Sequence, residues 1–335
     1  MPPALRYAIV FALALVLSLY ATPLMRAAAI RFGIVDRPDG RLKRQALPVP
    51  YLGGIAIYLA FLLALTATLR FDSNEVLGLL LAGAIVVILG LIDDFGVLTP
   101  GVKLAGQVVA VLTLIKASIF IKLSFLPPWL AVVLSFVWLL AITNAFNIID
   151  VMDGLAAGVG AVGAAVLFLV AASSGRETNA VLLAALCGSL AGFLRYNFAP
   201  ARIYMGDTGS MFLGLMLGAL AMNNSYTRNN LVASLAPVVI LGVPIFDMLF
   251  VMYIRRRRGM PVMRGSPDHF ALRLRKWRLS TRATVLLSWG VTSALGALAI
   301  VMMLSPAAVA LAILGGIVTA AAGMGIVLNR IDMSL

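Results

Sequence analysis

The sequence predicts an all-α fold: a polytopic membrane helix bundle of about eleven transmembrane helices, forming a single integral membrane domain over residues 1–335. Three observations lead there. The composition is apolar, membrane-length apolar runs follow one another along the chain, and basic charge gathers in alternate loops. Of the 335 residues, 62% are hydrophobic and only 12% are charged. A water-soluble chain of this length needs a charged surface; a bilayer removes that need by covering the outer face with lipid.

Apolar runs occur near 5–25, 51–69, 76–92, 103–120, 129–147, 154–173, 179–196, 209–223, 231–254, 283–304 and 308–328. The first is longer than a signal-peptide core and is followed by a basic loop, so it reads as the first membrane helix. The run 103–120 carries Lys116, and 209–223 is short. Cys187 is the single cysteine and sits in an apolar run, where it reads as a small packing residue.

Lys and Arg fix the orientation. With loops at about 26–50, 93–102, 148–153, 197–208 and 255–282, the helix edges beside them and the C-terminus in the cytoplasm, twenty of the 26 Lys and Arg lie on that side. This is the positive-inside distribution. It accounts for the net charge of +13 without a nucleic-acid partner and sets the basic charge where the cytoplasmic leaflet or an anionic substrate would meet it. Most of the 13 acidic residues fall on the same side. Asp247 instead lies within the run 231–254, where an ionisable group is either functional or a helix-packing hydrogen bond.

Four constellations occupy the cytoplasmic side. Asp93 and Asp94 end the run 76–92, where a helix dipole disfavours carboxylates and adjacent acids repel. A divalent cation or Lys103 would relieve both; a polar stop at the interface is the plainer reading. Asn144, Asn147, Asp150 and Asp153 recur every third position at the end of the run 129–147. Continued as a helix, they form one slanted polar stripe suited to a base, a ribose or a metal-bound water. Asp207 lies between Gly206 and Gly209, just before the run 209–223. A helix N-terminus attracts phosphate, and a hard oxygen ligand beside it suits magnesium, although Asp, Thr and Ser are also ordinary caps. The loop 255–282 opens with four arginines, a frequent topology signal, and holds His269, the only histidine of the chain.

These motifs, in this order and on one face, resemble the polyprenyl-phosphate N-acetylhexosamine-1-phosphate transferase family. The resemblance covers roughly residues 30–282, and the spacing from Asp93 to Lys103 together with Pro244-Ile-Phe-Asp247 is similar to its GlcNAc-type branch. It implies Asp93, Asp94, Asp150, Asp153 and His269 as catalytic-face residues. Lys43, Lys103 and Arg273 would bind phosphates, Asn144 and Asn147 the nucleotide-sugar, and Asn197 and Tyr204 the uridine. Asp207 would ligate Mg²⁺, with Mn²⁺ able to replace it. The implied reaction moves a sugar-1-phosphate, most simply GlcNAc-1-phosphate, from a UDP-sugar to polyprenyl (undecaprenyl) phosphate, releases UMP and starts a lipid-linked glycan. The resemblance leaves room for a homodimer among membrane lipids.

Three departures from the family pattern stand out. Gln45 stands where a histidine is usual, Val151 where a glycine is usual, and Ala271 and Leu272 replace two members of a histidine cluster. Within that loop His269 would then be left with Arg273, four residues on and on one face if the stretch is helical. An imidazole there would donate to phosphate in either charge state. The alternatives are phospho-MurNAc-pentapeptide transfer or another UDP-sugar and, from a different class, a transporter. A transporter would place its charges near the midplane and show related halves; here the acids gather at one face and no internal repeat is visible.

The charge map is testable. Single cysteines placed in 197–208 or 255–282, in a Cys187→Ala background, are expected to resist impermeant thiol reagents in intact cells. Labelling of 255–282 from outside would reverse the map.

Overall fold

Each apolar run holds a helix in the computed structural model, which describes residues 1–36, 48–68, 73–261 and 266–333. The helices are α1 (Pro3–Arg31), α2 (Gly53–Thr66), α3 (Asn74–Asp94), α4 (Pro100–Lys116), α5 (Pro128–Ile149), α6 (Leu155–Ser173) and α7 (Glu177–Asn197). They continue with α8 (Gly206–Met222), α9 (Ala236–Ile240), α10 (Gly242–Arg257), α11 (Phe270–Lys276), α12 (Thr281–Leu304) and α13 (Ala307–Asn329). The described strands are β1 (Val35–Asp36) and β2 (Val49–Pro50), an antiparallel pair with Val35 opposite Pro50. Helix starts follow local chemistry. Ser73, Thr99 and Ser280 cap α3, α4 and α12 by accepting from Val76 N, Val102 N and Ala283 N. Pro100 and Pro128 occupy first-turn positions, where no N–H is needed.

The chain is a multi-pass membrane protein, but not all eleven runs are membrane-length helices. Among the described residues seven helices are long and apolar enough to span: α1, α3, α5, α6, α7, α12 and α13. Val232–Ile240 and Gly242–Arg257 reach that length and apolarity only as a pair, bent by 76°, which makes them a broken span or a re-entrant loop. The sequence reading took 231–254 as one span. It breaks because Pro244, in the first turn of α10, has no N–H to continue the ladder from α9. α2, α4 and α8 have 14, 17 and 17 residues. Each falls short of the ~20 residues that a straight crossing takes.

Layering runs from a buried centre to a lipid-facing rim. α8 is buried from Thr208 to Ala221, packed among α2, α3, α5 and α6. α13 lies at the rim; of its residues only Ala310 and Leu328 are buried, while Leu311, Val318 and Ile326 face outward. Small residues let α8 sit against its neighbours backbone to backbone. A Cβ on Gly54 would lie 2.2 Å from Gly209 N, and one on Gly90 would lie 2.5 Å from Thr208 Cα. Close approach of this kind is how helices associate where lipid removes the hydrophobic drive.

Gly90→Ala therefore has no room without moving the α8 backbone. It is expected to destabilise the protein by ~1–3 kcal/mol, the usual cost of overpacking. Thermal unfolding in detergent would show a lowered Tm for Gly90→Ala and none for Gly323→Ala, where a Cβ meets open space.

Candidate functional site

The ends of α3, α5 and α7, the start of α8 and the segment before α11 converge on a cavity of about 610 Å³. Asp36, Asp93, Asp94, Asp150, Asp153 and Asp207 line it, with Tyr51, Asn197, Tyr204 and His269. Positions up to 233 residues apart in sequence thus meet at one end of the bundle. Lys43 lies outside the described residues.

The adjacent aspartates of α3 do different work. Asp94 Oδ1 accepts from Asp207 N at 2.7 Å, and its Oδ2 accepts from Thr208 N at 3.2 Å and Thr208 Oγ1 at 2.6 Å. Asp94 thus sits at the C-terminus of its own helix but is satisfied by the first-turn N–H groups of another, where a negative charge is favoured. Asp93 turns to Lys103, whose Nζ lies 2.7 Å from Asp93 Oδ2. The same ammonium bonds Asp207 Oδ2 and donates to Asn147 Oδ1 at 3.0 Å. Asn147 in turn donates to Asp207 Oδ1 at 2.8 Å and Ser210 Oγ at 2.9 Å. Asp93, Lys103, Asn147 and Asp207 are one network, held by α3, α4, α5 and α8.

The expected four-residue stripe is cut short. α5 ends at Ile149, and Asp150 is its C-cap with ψ 60°, outside helical geometry. The chain then turns to Gly154, whose φ of +75° suits glycine, and α6 begins. Asp150 still faces the cavity, but Asp153 reaches across to accept from Ala201 N at 2.8 Å. Asn144 lies deeper, exchanging hydrogen bonds with Gln107 on α4. Asn197 spends its amide on structure: Oδ1 accepts from Gly154 N and Nδ2 donates to Ile203 O, each at 3.0 Å. That bond pair fixes the loop carrying Tyr204, whose ring lies 6.1 Å from that of Tyr51. Enclosure, then the nearby Asp153, Asp36 and Asp150, holds the Tyr204 phenol above its usual pKa, so it remains a donor.

The structure separates His269 from Arg273. His269 is the N-cap of α11 and lines the cavity. Arg273 is 1% exposed and points the other way. Its guanidinium donates to Asp268 Oδ1 at 2.9 Å, Leu328 O at 2.9 Å and Ile331 O at 2.7 Å, and lies 5.3 Å from the Phe250 ring centre. The helix carrying it begins only at Phe270, so the two side chains leave different faces of the turn. Arg273 anchors α11 instead of reaching a phosphate in the cavity. The expectation for His269 also changes: its Nδ1 lies 2.8 Å from Asp247 Oδ2. When Nδ1 donates to that carboxylate, the neutral ring keeps only an accepting Nε2, and donation to phosphate requires the imidazolium.

Two contributors, Tyr51 and Gln107, and one pairing escaped sequence reasoning. Tyr51 had only its place before the Gly53-Gly54 pair as a signal. Gln107, 1% exposed, could have been suspected as an amide inside an apolar run. The partner of Asp247 lies 22 residues away across a loop, with no periodic relation to it.

The profile of glycosyl transferase family 4 matches residues 76–225, which hold Asp93 through Asp207 and end before Asp247. A probable undecaprenyl-phosphate N-acetylglucosaminyl 1-phosphate transferase of Bacillus subtilis is 33% identical over 290 residues, covering 84% of this chain and 81% of that protein. A decaprenyl-phosphate N-acetylglucosaminephosphotransferase of Mycolicibacterium smegmatis is 32% identical over 322 residues, covering 85% of this chain and 79% of its own length. A phospho-N-acetylmuramoyl-pentapeptide-transferase of Desulforudis audaxviator matches more weakly, 32% identical over 321 residues, with 84% and 92% covered.

Asp150 gives a pH signature. Enclosure first, then the carboxylates of Asp207, Asp94 and Asp153, pushes its carboxyl up to about 8. The unfolded chain releases that proton near pH 4. The native state therefore binds the extra proton between about pH 4 and 8, and this contribution to stability is full below that window and lost as pH rises through it. Asp150→Asn removes the titration. In metal-free detergent solution its stability relative to wild type is expected to rise between pH 5 and 9 by at least the ~1.4 kcal/mol that one pKa unit represents. Parallel Tm-versus-pH curves would contradict the assignment.

Proposed function

Because the chain belongs to glycosyl transferase family 4, we propose that it transfers GlcNAc-1-phosphate from UDP-GlcNAc to polyprenyl phosphate, undecaprenyl phosphate in a bacterial inner membrane, at the cytoplasmic face. The names of the relatives support the acceptor and the sugar. The observation that carries the reading is the cavity itself. Six aspartates line it, and among its described lining residues there is no Lys or Arg. A diphosphate entering such a cavity meets strong repulsion unless cations come with it, and Lys103 alone, tied to Asp93 and Asp207, is too little.

The residues present fit a magnesium ion. Among the described residues no three His, Cys, Asp or Glu side chains converge as around a fully caged metal. Mg²⁺ takes one or two carboxylates and completes its shell with water and substrate phosphate, and Asp207 is such a carboxylate. When bound there, the ion would neutralise diphosphate charge and the charge that develops on departing UMP.

The chain's own groups divide the remaining work. The uridine end lies toward Tyr204 and Tyr51, whose rings and hydroxyls suit a base and ribose. Lys103 and Asn147 hold Asp207 in place and set the position of the β-phosphate beside it. Asp94, committed to the α8 N-terminus, keeps the backbone of Asp207 fixed. Asp93 is the member of the pair left to position the lipid phosphate or take its proton. A lipid phosphate oxygen attacks the β-phosphorus, the bond to the α-phosphate oxygen breaks, and UMP leaves. An apolar recess of about 570 Å³ between α10, α12 and α13 suits an isoprenoid tail; Phe270 and Leu274 line it, directly beyond His269.

Purified protein in detergent, given UDP-GlcNAc, undecaprenyl phosphate and Mg²⁺, is expected to release UMP and form a lipid diphosphate sugar. EDTA should abolish turnover, and Asp207→Asn should lower it at least a hundredfold while the protein still melts cooperatively. Near-wild-type turnover by Asp207→Asn, with the same Mg²⁺ dependence, would remove Asp207 from the metal site. Turnover with UDP-MurNAc-pentapeptide instead would reassign the sugar.

A further inference from the structure

Asp247 lies within α10, is 0% exposed, and has both oxygens engaged. Oδ2 meets His269 Nδ1 at 2.8 Å and Oδ1 accepts from Phe270 N at 2.9 Å. A carboxylate buried in a membrane helix is costly, and one whose partners are the only histidine of the chain and the next backbone N–H has been placed for them. We propose that Asp247 is a positioning residue for the transfer reaction: it fixes the His269 ring by its Nδ1 and aims Nε2 into the cavity.

The surroundings make that aim rigid. Behind α11, Arg273 is clamped by Asp268 and by two carbonyls at the end of α13, and Arg258 also donates to Asp268 Oδ1 at 2.9 Å. α11 is thus held from behind by α13 and in front by α10. Asp247 is the only described contact that fixes the imidazole itself rather than the helix bearing it. An ionised carboxylate accepts and cannot donate, so it selects the tautomer with the proton on Nδ1. Asn in its place has one acceptor for two donors. Its amide N–H groups can also donate to a bare Nδ1, which would move the ring proton to Nε2.

The inference rests on the transferase reading for its kinetic consequence, but the positioning is measurable without turnover. Protein purified without a histidine tag and labelled with ¹⁵N-histidine gives one imidazole, that of His269. At a pH where the ring is neutral, wild type is expected to show a protonated Nδ1 and a bare Nε2. Asp247→Asn should shift population toward the Nε2–H form, and Asp247→Glu should retain the wild-type tautomer. In the UMP-release assay Asp247→Asn and His269→Ala should each lower kcat/KM at least tenfold. The double variant should be no worse than His269→Ala alone, because Asp247 acts through that ring. An unchanged tautomer in Asp247→Asn, or multiplicative losses in the double variant, would overturn the proposal. So would an Asp247→Asn protein that fails to fold where His269→Ala folds, since Asp247 would then serve packing. A wild type with the expected tautomer but no UMP release would sink the transferase reading and leave the geometric result standing.

Discussion

Three donors at the start of α8 end on one carboxylate, and the site is arranged around that contact. Asp94 closes α3, where its helix's own dipole opposes it, and is stabilised instead by Asp207 N, Thr208 N and the Thr208 hydroxyl. Hydrogen bonds to a charged group contribute ~1.5–3 kcal/mol each in favourable settings. The contact is reachable only because Gly90 lets Thr208 approach α3, and Gly54 lets Gly209 approach α2. A side chain at either glycine would hold α8 away. Asp207 would then leave Asp93, Lys103 and Asn147.

The second consequence is electrostatic. Fixing α8 this way brings Asp207 into a cavity that already holds Asp36, Asp93, Asp150 and Asp153. Like charges this close are tolerated because partners are distributed unevenly. Asp94 has backbone amides, Asp93 and Asp207 share an ammonium, and Asp153 takes Ala201 N. Among the described residues no such partner reaches Asp150, and enclosure pushes its carboxyl up to about 8. The cavity is therefore predisposed toward cations.

Helix content was legible because lipid makes it so: backbone polar groups in a bilayer must bond within the segment, and apolar runs reveal where. Asp93, Asp94, Asp150, Asp153, Tyr204, Asp207 and His269, singled out in the sequence, line one cavity. What stayed hidden concerns direction. Nothing in the one-dimensional pattern says that α5 stops at Ile149, leaving Asp150 and Asp153 off the helix. Nor does it say that Arg273, four residues from His269, turns to the end of α13. The pairing of Asp94 with Thr208 spans 114 residues, and of Asp247 with His269 22, and neither has a period. The break at Pro244 was visible as a proline but not as a 76° bend, because membrane helices often carry prolines without breaking.

The placement of charge at helix ends follows from the same solvent. At membrane depth a carboxylate is expensive, whereas at a helix terminus it meets free N–H groups, loop amides and water. Asp94 and Asp150 take the ends of α3 and α5, and Asp207 takes the start of α8. Asp247 is the exception, and it is the one acid set within a helix with every described partner drawn from a single following loop. That exception has a geometric reason. The end of α10 engages Ser266 and Asp268 through Arg255 and Arg258, and Asp247, about two turns back, engages the next two residues. A carboxylate placed inside the helix reaches His269 and Phe270 together and holds the loop against the end of the bundle where the other acids converge.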